Sequence, residues 1–261
     1  MTVKRIASPP VKGIISRPQP VIVESVTQAD DAHLLADVLS RVWGQSNTVS
    51  VDVIVAIIHS GGYESLARVK DHGKIQIVGG SLGLVGSGGR NLHSHVTGVL
   101  DAATNSGVGR ALKQHQWSWA KENGFSAISW TFDPLVRRNA HFNLVTLGAT
   151  AVSYHQNFYG ELDDLINAGE QTDRLVVERR VAGLVAAPYG EICIPDIEDE
   201  LITTHDDIVG LRKSHPDIAR AARQSQREEF EKAFAGSRFV RGLTSDGSYV
   251  LTSQGAVNND N

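Results

Sequence analysis

The spacing of apolar positions changes once within residues 92–113, LHSHVTGVLDAATNSGVGRALK. The first part has the β-branched and apolar residues typical of a strand, the middle is small and polar, and the last part has helical spacing. The pattern therefore predicts a strand, a glycine turn and a helix. Gly107 and Gly109 lack Cβ atoms, and first-turn N–H groups of a helix bind anions, so we expect this turn to hold a phosphate group. The alternative is that both glycines only allow close packing of helix on strand.

The same periodicity predicts the elements on either side of this stretch. We expect strands over residues 20–26, 63–70, 74–84, 127–132, 150–154 and 174–181, and helices over residues 27–43, 49–58, 108–122 and 134–147. The first helix begins at a capping box of Thr27 and Asp30, and Asp133 caps the last one. Residues 49–58 also fit a strand by composition. The order of elements predicts an α/β (α+β) fold, a mixed sheet flanked by helices.

The chain divides by composition into three parts. Residues 1–19 are broken by prolines and are expected to form a mobile N-terminal arm, and residues 20–182 form the main domain. Residues 183–261 form a C-terminal extension, with a strand at 191–194, a helix at 215–234, a hairpin at 239–251 and disorder after 253. Its apolar residues are too few for an independent core, so we expect it to pack on the main domain or on a second subunit.

Charge and cysteine content narrow the class of ligand. The chain has 261 residues, a formal net charge of −4 and a pI near 6.2, which gives no overall attraction to nucleic acid or to an anionic membrane. A small molecule is the expected substrate. The single cysteine, Cys193, excludes an intramolecular disulfide and suits a cytoplasmic protein. No apolar run reaches the length of a membrane span, and the N-terminus has no signal-peptide pattern.

The predicted order of elements resembles the GNAT superfamily of N-acyltransferases. Residues 96–112, VTGVLDAATNSGVGRAL, look like its acyl-coenzyme A motif, a strand, a Q/R-x-x-G-x-G/A loop and a helix. Residues 137–149, RRNAHFNLVTLGA, are similar to its following helix, and SHVTGV, WTFDPLVRRNA and NFYGELDDLINAG look like a bacterial branch of predicted acyltransferases. Thr104 stands where the family usually has Arg or Gln, and Leu144 where it usually has Tyr. The resemblance covers roughly residues 20–181 and implies a mostly antiparallel sheet.

The resemblance also implies a co-substrate, acetyl-coenzyme A or another acyl-coenzyme A, and the residues that hold it. The strand would offer backbone N–H and C=O groups to the pantetheine arm, the loop and helix would bind the phosphates, and two asparagines of the later helix would close the site. The residues are Val96, Thr97, Gly98 and Val99 for the arm, Asn105, Ser106, Gly107, Val108, Gly109 and Arg110 for the phosphates, and Asn139 and Asn143 for closing the site. The alternatives are that residues 96–99 belong to a strand that is fully paired with its neighbours, and that Arg110 is a solvated residue on the helix surface.

Two histidines and two tyrosines are the candidates for proton transfer. His93 and His95 alternate on one strand and share a face, so either can accept the proton of an attacking amine, hold a metal with a third ligand, or be structural. We find no third ligand in the sequence and expect no metal. Tyr154 or Tyr159 would protonate the departing thiolate. Nearby acids, Glu161, Asp163 and Asp164, would meet a cationic amine or face water.

The sequence therefore predicts an enzyme that moves an acyl group from acyl-coenzyme A to the amine of a small molecule. A first alternative takes the acyl group from another carrier such as an aminoacyl-tRNA, with Arg220, Arg223 and Arg227 as a basic helical stripe. A second alternative is a non-catalytic coenzyme A-binding or regulatory module whose residues 183–261 bind a partner. A homodimer is compatible with each of these interpretations.

Overall fold

The computed structural model describes residues 20–44, 49–71, 73–160 and 171–253. The predicted arm over residues 1–19, the acids Glu161, Asp163 and Asp164, and the tail after residue 253 lie outside the described residues. The strands are β1 (Val21–Ser25), β2 (Tyr63–Asp71), β3 (Lys74–Val85), β4 (Asn91–Val99), β5 (Ala127–Phe132), β6 (Thr150–His155), β7 (Arg174–Arg180), β8 (Glu200–Ile202), β9 (Arg238–Leu243) and β10 (Tyr249–Ser253). The helices are α1 (Ala29–Trp43), α2 (Val51–His59), α3 (Val108–Glu122), α4 (Arg137–Ala140), α5 (Ile208–Ser214) and α6 (Pro216–Ala235).

Seven strands form one sheet in the order β1-β2-β3-β4-β5-β7-β6. All neighbouring pairs are antiparallel except β4 and β5, which run parallel. The predicted order of elements and the mixed, mostly antiparallel sheet are therefore confirmed. None of the helices in the described ranges is long and apolar enough to cross a membrane.

Helices cover both faces of this sheet. Leu35 and Leu39 of α1 and Ile54 of α2 pack with Leu66 and Leu82 of the sheet in one apolar cluster. A separate cluster joins α3 to β2 and β3. Leu66 and Ala67 are consecutive on β2 and belong to different clusters, so the two helix layers lie on opposite sides of the sheet and its central strands are buried on both faces.

The C-terminal extension forms a second, three-stranded sheet in the order β8-β10-β9, and it packs on the main domain together with α6. The ring of Phe230 on α6 stacks on Tyr154 of β6 with centroids 5.0 Å apart. The Tyr249 hydroxyl donates a hydrogen bond of 2.8 Å to the carbonyl oxygen of Pro134. Apolar burial and a buried hydrogen bond thus hold the extension against the core.

Three details of the predicted elements are wrong. The first helix begins after Gln28 without a side-chain cap, so the capping box does not form. Residues 191–194 contribute only a bridge from Ile192 to Leu243, whereas β8 forms at 200–202 because it pairs with β10. The helix expected from residue 134 begins at Arg137 and continues as a π-helix, His141–Thr146.

Asp133 does not cap that helix as predicted, since the N-cap residue is Val136. Its Oδ1 accepts a hydrogen bond from the N–H of Leu135, and its carboxylate also pairs with Arg212 and Arg223 of the extension. The predicted cap is therefore a buried anchor for α5 and α6, an interaction between residues about 80 to 90 positions apart.

Candidate functional site

The parallel pair β4 and β5 separates after three residues. Asn91, Leu92 and His93 pair with β5, and the described ladder ends at His93 and Ser129. Beyond this point β4 stays paired with β3 on its other side, and β5 stays paired with β7. A wedge therefore opens between residues 94–99 of β4 and residues 130–132 of β5. The backbone edge of β4 that faces the wedge has no strand partner among the described residues, so the alternative of a fully paired strand does not hold.

A bulge in β4 lies at the closed end of the wedge. Val96 pairs with Leu82 and Ser94 with Gly83, so His95 is an extra residue on its strand. The rings of His93 and His95 are 6.2 Å apart between centroids, on the same side of the strand as predicted. The described residues bring no third metal-ligating side chain to this pair.

Both histidines hold their protons weakly. Burial lowers the pKa of His93, and the positive charges of His95 and Lys113 lower it further. Burial also lowers the pKa of His95. Each imidazole is therefore neutral at pH 7 and able to accept a proton.

The loop after β4 leads into α3 with an open helix N-terminus. Asn105 and Gly107 have left-handed backbones, with φ of 59° and 87°. The hydroxyls of Thr104 and Ser106 donate to carbonyl oxygens of the short 3-10 turn Asp101–Ala103 rather than to the helix. Within the described residues no side chain caps α3, whose N-cap is Gly107. First-turn N–H groups such as those of Val108 and Gly109 remain available to an anion.

Gly109 and Arg110 lie where this helix meets two other parts of the chain. A Cβ on Gly109 would lie 3.6 Å from Cζ of Phe142 on the π-helix and 3.8 Å from Cγ2 of Val99. Arg110 is exposed and donates a hydrogen bond of 3.1 Å to the hydroxyl of Tyr189, in the segment that follows β7. Gly109 thus lies at the mouth of the wedge, and Arg110 extends away from the protein core.

Asn143 lies on the far wall of the wedge and is fully engaged. Its Oδ1 accepts a hydrogen bond of 2.7 Å from the indole N–H of Trp130, and its Nδ2 donates to the carbonyl oxygen of Asn139. The first bond holds the π-helix against β5, and the second links the π-helix to the preceding turn of α4. The Asn139 side chain is half-buried on the turn before it.

Of the two candidate tyrosines, Tyr154 lies on β6, on the other side of β5 from β4, whereas Tyr159 follows β6 and its hydroxyl reaches Thr131 of β5. Tyr154 donates a hydrogen bond of 2.6 Å to Asp173, and burial together with that carboxylate raises the pKa of its phenol well above the usual value. The Tyr159 hydroxyl lies 3.1 Å from that of Thr131. Each hydroxyl has a protein partner, and Tyr154 is held in its protonated form.

The three arginines of the basic stripe on α6 all form ion pairs with aspartates. Arg223 pairs with Asp133, Arg227 pairs with Asp173, and the exposed Arg220 pairs with Asp217 one turn away. Two of these three cations are buried, so they are not presented to an RNA backbone.

Lys113 is a site residue that the sequence analysis missed. It lies on α3, is only 6% exposed, and donates a hydrogen bond of 2.7 Å from Nζ to Oγ of Ser94. The sequence does carry a signal for it, because Gly109, Lys113 and Gln116 form a small and polar stripe beside the apolar one on the same helix.

The sequence matches no protein-family model and none of the curated proteins. Several solved structures are similar to it in fold. An acetyltransferase of the GNAT family from Streptococcus pneumoniae is 13% identical, with a TM-score of 0.49 over 62% of this chain and 99% of that chain. The ribosomal-protein-S18-alanine N-acetyltransferase from Escherichia coli is 13% identical, with a TM-score of 0.46 over 67% and 99% of the two chains. An IAA acetyltransferase from Bacillus cereus is 15% identical, with a TM-score of 0.46 over 61% and 98%.

Proposed function

We propose that this protein is an N-acyltransferase that moves an acyl group, most simply acetyl, from acyl-coenzyme A to the amine of a small molecule. One observation carries the proposal: the unpaired edge of β4 in the wedge leads directly into the uncapped N-terminus of α3. An extended pantetheine arm needs backbone partners along its length, and a pyrophosphate needs N–H donors at its end. The edge of β4 offers the backbone partners, and the N-terminus of α3, which follows it along the chain, offers the N–H donors.

The coenzyme would supply an activated thioester, and the protein's own groups would do the rest. The backbone of Val96, Thr97, Gly98 and Val99 binds the arm, and the loop from Asn105 to Arg110 binds the phosphates. His93 or His95 accepts the proton of the attacking amine, since both are neutral at pH 7. Backbone N–H groups of β4 stabilise the negative charge that develops on the carbonyl oxygen.

The phosphate site is testable with a matched pair of glycines at the two ends of α3. Gly107 and Gly124 have φ of 87° and 77°, and a Cβ added to either one would meet no other atom within 4 Å. Replacing either one with Glu therefore adds the same strain and the same charge. Only Gly107→Glu places that charge where the phosphates would bind.

We expect acetyl-coenzyme A at a hundredfold excess over its Kd to stabilise the wild-type protein by about 2.7 kcal/mol. Gly124→Glu should keep this stabilisation and Gly107→Glu should lose most of it, as measured by thermal unfolding with and without ligand. Acetyl-pantetheine, which lacks the phosphates, should bind both variants equally. Equal loss in both variants, or no response of the wild type, would refute the proposed function.

A further inference from the structure

The amine of Lys113 occupies the point where β4 and β5 separate. Ser94 and Trp130 are the first residues of the two strands beyond their last paired rung, His93 with Ser129. Nζ of Lys113 is 2.7 Å from Oγ of Ser94 and 4.1 Å from the centre of the Trp130 ring. One side chain from α3 therefore contacts both walls of the wedge at its closed end.

The groups that this amine contacts directly are neutral. Besides Ser94 and the indole ring, Nζ donates a hydrogen bond of 3.2 Å to Oε1 of Gln116. Arg179 of β7 acts on Lys113, and its positive charge lowers the pKa of that amine. Tyr189 and Arg110 act in turn on Arg179, with opposite effects on its pKa, and Lys113 itself lowers the pKa of His93 on β4. Burial of a positive charge among these groups is unfavourable, because two neutral hydrogen-bond acceptors and the face of an indole ring compensate only part of its lost hydration.

The chemical consequence is an amine that gives up its proton near neutral pH. Burial, together with the positive charge of Arg179, lowers the pKa of Lys113 to about 7. A thiol has a pKa of about 8.5, so transfer of a proton from this ammonium group to a thiolate is favourable. The phenol of Tyr154, whose pKa is raised and whose hydroxyl is bonded to Asp173, is a much poorer donor.

We propose that Lys113 is the general acid of the reaction, the group that protonates the thiolate of coenzyme A as it leaves; this inference rests on the proposed function. The C–N bond to the acceptor forms and the C–S bond breaks, with the electron pair going to sulfur. The Lys113 ammonium group gives its proton to that sulfur, and the acceptor nitrogen gives one proton to His93 or His95. The products are an amide and a free thiol, and a proton returned through solvent restores Lys113.

The first test measures binding and needs no acceptor. Coenzyme A and its desulfo analogue differ only at the sulfur, so Lys113 should distinguish them. At pH 8 the wild-type protein should bind coenzyme A roughly tenfold more tightly than the analogue, as expected for one hydrogen bond between the neutral amine and the thiol. Lys113→Met should remove this preference while still binding both ligands. Isothermal titration calorimetry gives all four affinities.

Lys121 offers a matched control on the same helix. It also lies against a tryptophan, with Nζ 5.4 Å from the Trp117 ring centre, but its hydrogen bond goes to the carbonyl oxygen of Val185 outside the wedge. Lys121→Met should therefore keep the preference for coenzyme A. If Lys113→Met keeps it as well, the inference is overturned. If the wild-type protein binds neither ligand, the proposed function fails and the inference fails with it.

A second measurement uses the unaltered protein and does not depend on the folding of a variant. The NMR signal of the Lys113 side chain should titrate with a midpoint near pH 7 in the free protein. Coenzyme A should lower that midpoint, because its thiol keeps its proton near pH 7 and donates a hydrogen bond to the neutral amine, and the desulfo analogue should not. An equal response to both ligands would overturn the inference.

Discussion

Arg223 of α6 donates two hydrogen bonds to Asp133 at the end of β5, of 3.2 Å from Nη1 to Oδ1 and 2.8 Å from Nη2 to Oδ2. Arg212 of α5 donates a third to the same carboxylate at 2.6 Å. The carboxylate is 8% exposed, so the two guanidinium groups stabilise it in a largely dry environment. This ion cluster joins the C-terminal helices to the strand that forms one wall of the wedge.

Asp133→Asn should destabilise the protein by about 3–5 kcal/mol, because it removes one partner of a buried ion cluster while keeping the shape of the side chain. Chemical denaturation gives the free energy of unfolding. Asp217→Asn is the control, since Asp217 pairs with Arg220 on the exposed side of α6 and such pairs contribute at most about 1 kcal/mol. Similar losses in both variants would show that the Asp133 cluster does not hold the extension.

The same carboxylate predicts a dependence of stability on pH. Burial raises the pKa of Asp133, but Arg223 and Arg212 outweigh this and lower it to about 2. The contribution of a carboxylate with a lowered pKa is complete above its unfolded value of about 3.9 and is lost as the pH falls towards the folded value. The difference in stability between wild type and Asp133→Asn should therefore shrink between pH 4 and pH 2.

Replacing the histidine proposed as the base, His93 or His95, with Gln should lower turnover by roughly 10²- to 10⁴-fold and abolish the acidic limb of the rate profile. The base acts in its neutral form, and burial lowers the pKa of both His93 and His95, so the rate should rise through a midpoint below about 6.5. His115 is the control, because its pKa is lowered as well but its ring lies within hydrogen-bond distance of the Tyr63 hydroxyl on β2. His115→Gln should keep the shape of the profile. Retention of the acidic limb in both His93→Gln and His95→Gln would point to a bound water as the base.

Tyr154→Phe separates the structural and catalytic roles of that residue. It removes the hydrogen bond to Asp173 and keeps the ring that stacks on Phe230, so we expect a loss of about 1.5–3 kcal/mol in unfolding free energy with turnover preserved. Tyr159→Phe, which removes a partner of the exposed Thr131 hydroxyl, should cost less. A loss of turnover without a loss of stability would identify Tyr154 as the acid and exclude Lys113.

Lys113→Met should stabilise the protein most at low pH. The pKa of this amine is about 7 in the folded protein and about 10.4 in an unfolded chain, so the unfolded chain binds more protons between these values. Wild-type stability therefore rises with pH across this window and carries the full burial cost below pH 7. The advantage of Lys113→Met in chemical denaturation should decrease from pH 6 to pH 10, and an advantage that does not change with pH would show that the pKa of this amine is not lowered.

Local periodicity was sufficient to predict most of the elements. The strand, turn and helix of residues 92–122 follow from the spacing of apolar residues and from glycines at positive φ, which are properties of neighbouring positions. The helix over 51–59 and the hairpins were predicted for the same reason. The shared face of His93 and His95 follows from the alternation of a strand.

The tertiary structure alone decided where the wedge opens and what lies in it. The separation of β4 from β5 depends on which residues pair between strands about 35 positions apart, and no local pattern sets that register. Asp133 has the sequence signature of a helix cap, yet two arginines about 80 to 90 residues away make it a buried ion. Lys113 would be an ordinary solvated lysine on an isolated helix. Its partners Ser94 and Trp130 come from two different strands. Only the packing of α3 against both strands buries the amine, and this burial lowers its pKa.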